Sequence, residues 1–348
     1  MTKLIDAPGD RPGKLSTLPA PVTVDILENR AARDFLTSQW PGLYEQDRLA
    51  TPYQSPAWLT VHADQLPATA VLLVLVAAAP SGPRAALAVV RDRSIGGRTE
   101  VQPLSAPTAE YIRLVGPDAE EPHVAAAIAH TLATLGADVM MPDVPSNSAL
   151  GRHVAAQWQH TITRCARIDL PVPYAAMSRA TRREHKRRKR AWDQLTTSSR
   201  TVAYHRTSSA AELLAAYPAL CHLHRLRWSS PRPDHRLTPA DEQFRAVLQH
   251  CSSMAFIATL AVDESVVAAQ LCLHRGRYVY SLLPAMDPAQ QELAPGHALL
   301  RTLTDDLTAA GFNTLDLGRT TCSPGQLAYK AQYAPVWTTT LTAARRTC

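Results

Sequence analysis

The segment Arg179–Arg190, RATRREHKRRKR, holds eight lysines and arginines and a single glutamate. It contributes +7 to a formal net charge of +6, so the rest of the chain sums to −1 and the basicity is local. Packing so many cations together is costly unless a polyanion lies near. The run therefore points to a phosphate-bearing partner, against the ordinary reading of a solvated helix face. Three- and four-residue spacing puts Arg182, Lys186, Lys189 and Arg190 on one side of such a helix. A second group lies near the C-terminal end. Asp316 sits in the apolar run Thr314–Leu317, where an isolated carboxylate is costly to bury. It either pairs structurally with Arg319 or takes part in proton transfer. His297 directly follows Gly296 and, as an ordinary imidazole, would titrate near neutral pH; a plain helix-surface histidine is the alternative. The six cysteines are scattered with no CxxC pair and no metal spacing, so reduced thiols and no metal site are expected. No motif around Cys322 supports a nucleophile.

These residues need elements to hold them. Ser178 predicts the N-cap of a helix that carries the basic run through Leu195. Ala210–Trp228 reads as a helix interrupted by Pro218, and Ala240–Gln249 as another. Phe256–Val262, Val266–Leu273 and Tyr278–Leu283 form a three-stranded meander. A helix over Gly296–Ala310 ends at Gly311, and Thr314–Leu317 closes the series as a strand. Upstream, Asp25–Leu36 has helical rhythm, and Ala70–Ala78 and Ala85–Asp92 read as strands around a Ser-Gly-Pro turn. Tyr111–Val115, Asp138–Met141 and Arg164–Leu170 read as further strands, and His123–Leu135 as a helix. Each half thus holds strand pairs, a helix and another strand, a faint sign of duplication without repeated residues.

At 348 residues with 46% hydrophobic residues, the chain has room for two domains and a sizeable core. The longest apolar run, Ala70–Ala79, is half the ~20 residues a spanning helix needs, so no membrane insertion is expected. The start lacks the pattern of a signal peptide, and a cytoplasmic location is the default expectation.

From Val266 to Pro335 the sequence resembles the GNAT superfamily. More narrowly it resembles the Fem-type and cellulose-biosynthesis-associated acyltransferase-like proteins. The resemblance rests on Asp316-Leu317-Gly318-Arg319, on Tyr329-Lys330 and on Tyr333. Upstream, Thr51-Pro52-Tyr53-Gln54-Ser55-Pro56-Ala57-Trp58 is similar to the family's T-P-x-Q-S-x-x-W segment. Ala109-Glu110-Tyr111 sits where relatives have an S-D-Y-like tripeptide, and the basic helix resembles one that links the halves. The resemblance implies an α/β fold with a mixed sheet and two packed GNAT-like lobes, the C-terminal one more complete. Residues 1–21 would be a loose tail, 22–172 the acceptor-side lobe, and 173–348 the basic helix and donor-side lobe.

It also implies acyl transfer from an activated donor to an amine, forming an amide. The [QR]-x-x-G-x-[GA] loop of CoA-using relatives aligns with Gln291–Gly296; Gln291 and Gly296 fit, Ala294 replaces a glycine, and Pro295 removes a donor N–H. Lys330 matches the family's lysine and would bind donor phosphate or stabilise charge at the reacting carbonyl. Asp316 would help receive the amine's proton, and Tyr280, on the facing strand, would donate to the leaving group. Arg319 and His297 fall with the donor site, and Glu110 and Tyr111 with the acceptor. Arg182, Lys186, Lys189 and Arg190 would meet the phosphates of coenzyme A or of tRNA. The donor is therefore acyl-CoA or aminoacyl-tRNA as co-substrate, with no tightly bound cofactor, and the acceptor a small-molecule amine. The contrasting reading is a non-catalytic nucleic-acid-binding protein using the basic helix.

Overall fold

The computed structural model describes residues 22–93, 97–106, 108–227, 241–320 and 323–347. The tail expected over 1–21, together with Trp228, Ala240, Cys322 and Cys348, lies outside them. The N-terminal half begins with β1 (Thr23–Glu28), α1 (Asn29–Ser38), α2 (Trp40–Gln46) and α3 (Pro56–Asp64). The meander β2 (Val71–Ala79), β3 (Gly82–Arg93) and β4 (Thr99–Pro103) follows. The half ends with α4 (Pro122–Ala133), β5 (Asp138–Pro145), α5 (Ala149–Gln157) and β6 (Gln159–Asp169). The linking helix α6 (Arg179–Thr197) is capped by the Ser178 hydroxyl, which accepts from the Thr181 N–H at 3.1 Å.

The second half repeats this order. It runs β7 (Val202–Arg206), α7 (Ala210–Arg227), α8 (Asp241–His250), then β8 (Ala255–Val262), β9 (Ser265–Arg275) and β10 (Tyr278–Met286). It closes with α9 (Pro295–Ala309), β11 (Thr314–Thr320), α10 (Pro324–Ala331) and β12 (Val336–Arg345). The twelve strands form one sheet in the order β1-β2-β3-β4-β5-β12-β6-β11-β10-β9-β8-β7. Each strand has its counterpart six places on, so the order is symmetric about its centre. The last strand of each half is exchanged: β6 pairs with β11, β12 pairs with β5, and the two pair with each other. β4–β5 and β10–β11 are parallel, and the other neighbours are antiparallel. One hydrophobic core runs from α1–α3 through the meanders to α7 and α8, and a second fills the space between α6, α9 and the C-terminal strands.

Three expectations change. Asp25–Leu36 is not one helix: Val24, Ile26 and Leu27 begin as an edge strand against β2, and the helix starts at Asn29. Tyr111–Val115 is not a strand, because its backbone bonds go elsewhere: the Ile112 N–H donates to the Asp143 carbonyl, and Val115 makes an isolated bridge to Ala86. α7 continues through Pro218, its residues Leu213, Tyr217 and Leu220 buried against the sheet.

Candidate active site at the lobe seam

β10 and β11 pair only over Tyr278–Tyr280 and Thr314–Asp316, then part, although β10 continues to Met286. The last paired residues are Tyr280 and Asp316. Beyond them the two strands no longer pair with each other, and the Leu317, Gly318 and Arg319 carbonyls of β11 find another partner. β11 then bulges against β6 between Asp316 and Arg319. Gly318 makes this turn at φ +67, and a Cβ there would lie 2.5 Å from the Glu110 carboxylate, so glycine is required twice over.

The D-L-G-R motif is explained residue by residue. The Asp316 carboxylate accepts from the Gly318 N–H at 2.7 Å and, across the lobes, from the Tyr111 hydroxyl at 2.7 Å. Burial, at 6% exposure, pushes its pKa up to about 6 against the pull of those two bonds. Arg319 reaches back to the N-terminal lobe, 3.0 Å from Asp143 and 3.7 Å from Glu110. Lys330, on α10, is buried; its ammonium donates to the carbonyls of Leu317, Gly318 and Arg319 at 2.8, 2.9 and 2.7 Å. Three donors meet three carbonyls, which braces the bulge. Tyr280 packs edge-on or tilted against the rings of Tyr53, Tyr111 and Tyr278, and burial raises its phenol pKa. Tyr111 and Glu110 are thus brought beside Asp316 from the other lobe.

The loop Gln291–Gly296 lies at the start of α9, and Gly296 packs near Met286 at the end of β10. Ala294 takes φ +49, Pro295 has no N–H, and the N–H groups of His297 and Ala298 both turn back to the Ala294 carbonyl. Few backbone donors therefore remain for an anion. His297 is not a surface group: its ring stacks on Tyr333, its Nδ1 lies 2.8 Å from the Tyr333 hydroxyl, and burial presses its pKa to about 3. It is neutral at pH 7, contrary to the near-neutral titration expected.

The basic helix is divided into two faces. His185 and Trp192 are buried, and the Trp192 indole donates to the Leu293 carbonyl at 2.8 Å, docking α6 on the loop before α9. Arg183, Lys186, Arg187 and Arg190 lie together on the exposed face of α6. Lys186 and Arg190 lie on this face as expected; Arg187 on it is paired with Glu184 at 2.7 Å, Arg182 donates to the Ala175 and Met177 carbonyls, and Lys189 pairs with Asp193 at 2.9 Å.

Residues 179–331 match the family model described as an acetyltransferase (GNAT) domain. Over this stretch the chain is similar to GNAT domains. Solved structures share the fold of the whole chain. FemX aligns at a TM-score of 0.59 and 10% identity, over 90% of this chain and 96% of its own. L-PGS from Bacillus licheniformis aligns at 0.55 and 14%, over 90% and 92%. A tandem GNAT protein from the clavulanic acid biosynthesis pathway aligns at 0.50 and 12%, over 94% and 100%. No protein of the curated set matches the chain. The protein thus has the two-lobe GNAT fold, and no helix among its described residues is long and apolar enough to cross a membrane.

On this GNAT scaffold, three residues to which the sequence pattern assigned no task are Asp143, Gln54 and Tyr329. Asp143 sits at φ +54 in β5 and holds Arg319. The Tyr329 hydroxyl donates to the Gly296 carbonyl at 3.3 Å, beside the loop before α9. Gln54 lay inside the T-P-x-Q-S segment, which was legible only as a pattern without a task.

Proposed function

We propose that the protein transfers an acyl or aminoacyl group from an activated donor to an amine, with the donor on the C-terminal lobe and the acceptor entering from the N-terminal side. The observation that carries this is Asp316: a buried carboxylate with a pKa near 6, at the point where β10 and β11 part. A general base works best with a pKa near the operating pH. In the step, the amine nitrogen attacks the donor carbonyl and loses its proton to Asp316. The tetrahedral oxyanion collapses, the bond to the thiolate or ribose oxygen breaks, and the leaving group is protonated. Tyr280, the register partner of Asp316 where the strands part, is suited to that last transfer. Lys330 acts by bracing the β11 bulge rather than by touching the donor.

The donor's phosphates are best served by side chains, since the loop before α9 retains few free N–H groups. Arg183, Lys186, Arg187 and Arg190, on the exposed face of α6, supply the charge. Acyl-CoA and aminoacyl-tRNA both fit this chemistry, and a cytoplasmic site of action suits either. Thermal shifts with acetyl-CoA, free coenzyme A and a pool of charged tRNAs test the reading, because a ligand of the folded state raises its stability. Stabilisation by one donor class identifies the co-substrate; no shift with any of them contradicts the proposal.

A further inference from the structure

We propose that Gln54 is a positioning residue for this reaction: its carboxamide fixes the Tyr111 backbone so that the Tyr111 hydroxyl meets Asp316. The inference rests on the reading of Asp316 as proton acceptor. Tyr111 has φ +57, a conformation that a bulky side chain adopts only when its surroundings over-determine it. Two bonds do so. The Gln54 Nε2 donates to the Tyr111 carbonyl at 3.0 Å, and the next residue's N–H, that of Ile112, donates to the Asp143 carbonyl at 3.0 Å.

The orientation of the Gln54 amide is itself fixed. Its Oε1 accepts from the Thr51 N–H at 3.0 Å and the Thr51 hydroxyl at 2.8 Å, which leaves Nε2 to face Tyr111. Thr51 and Gln54 form a capping box on a single turn, and the Trp40 indole donates to the Gln54 carbonyl at 2.8 Å, tying the turn to the core. A glutamate would serve the cap equally well, since only Oε1 is used there. The amide nitrogen has no part in the cap; it is spent on Tyr111. A closed circuit results, from Gln54 to Tyr111 to Asp316 and Gly318, then by Arg319 to Asp143 and back through Ile112.

The groups facing Asp316 are Tyr111 and Glu110 from the N-terminal lobe, Cys165 on β6, Tyr280 on β10 and Lys330 on α10. Of these, Tyr111 bonds to the carboxylate and favours its charged form, so releasing Tyr111 must raise the Asp316 midpoint. The test is a carbon-13 NMR titration of aspartate carboxyls in the full-length protein, with the Asp316 signal assigned by its loss in Asp316→Asn. Gln54→Met, which keeps the volume but removes both polar atoms, should move the midpoint up by about one unit. Thr51→Ser, which keeps the hydroxyl, should leave it in place. An unmoved midpoint in folded Gln54→Met overturns the inference. Should Gln54→Met fail to fold, Thr51→Val loosens the same clamp, and its midpoint decides in the same way. If Asp316→Asn retains full transfer activity, the proton-acceptor reading fails on its own. If that variant is inactive and the midpoint does not move, only the role of Gln54 falls.

Discussion

The two lobes share a plan and differ in what their fifth strands and fourth-strand loops carry. Both fifth strands bulge at a residue with positive φ: Gly318 in β11 and Asp143 in β5. In the C-terminal lobe the bulge exposes carbonyls to Lys330 and sets the Asp316 carboxylate against the Tyr111 hydroxyl. In the N-terminal lobe it presents a carboxylate that holds Arg319 of the other bulge. The loops before the helices diverge further. The one before α9 receives the Trp192 indole of α6, while the one before α4 contains Asp118, Glu120 and Glu121. Asp118 is bound to Arg84 at 2.7 Å, and Glu120 pairs with Arg113 and accepts from the Ala149 N–H that starts α5. Acids committed in this way repel phosphate and stitch the lobe together. In the proposed reading one copy keeps the donor site, and Tyr111, Glu110 and Asp143 of the other meet its Asp316 and Arg319.

The largest expected effect falls on the lobe with the chemistry. Asp316→Asn should lower the transfer rate by roughly 10²–10⁴-fold. The same variant should be more stable than the parent at pH 7.5. A carboxyl raised from 3.8 to about 6 makes the native state bind the extra proton between those values, so its stability contribution falls as pH rises through that window. The stability gap between Asp316→Asn and parent should therefore widen from pH 4 to 6 and level off above, which chemical denaturation at several pH values reads. Gly318→Ala should cost roughly 2–4 kcal/mol of unfolding free energy, since both the positive φ and the Glu110 contact resist a side chain. Replacing Arg183, Lys186, Arg187 and Arg190 with glutamine should weaken donor binding by about 10–100-fold at low salt and flatten its salt dependence. The smallest effect separates the lobes most cleanly. Asp118→Asn should leave donor affinity unchanged and cost at most about 1 kcal/mol by urea unfolding, its ion pair with Arg84 being partly exposed.

Much of the C-terminal lobe was legible because its elements are local and regular. The meander, the α9 helix stopping at Gly311 and the capped basic helix all follow from short-range pattern. The exchange of β6 and β12 was not, because pairing over such separations leaves no periodic trace, and β12 itself was missed. β1 was misread because its apolar residues run into those of α1 and mimic a single helical stripe. At the site, Asp316 stood out as a carboxylate in an apolar strand and Arg319 as its neighbour. Their true partners, Tyr111 and Asp143, come from the other lobe, where only the tripeptide at Ala109–Tyr111 gave a hint. On α6, spacing groups the cations but does not reveal which side Trp192 docks.

The most direct measurement is single-turnover transfer of a labelled acyl group to a panel of small amines, from whichever donor stabilises the fold, followed from pH 4.5 to 8. The parent should transfer the group at a rate that rises with pH through a midpoint of about 6, and Asp316→Asn should lose both the rate and the midpoint. Undiminished transfer by Asp316→Asn with the same pH profile, or none by the parent from either donor class, would contradict the catalytic role assigned to the seam.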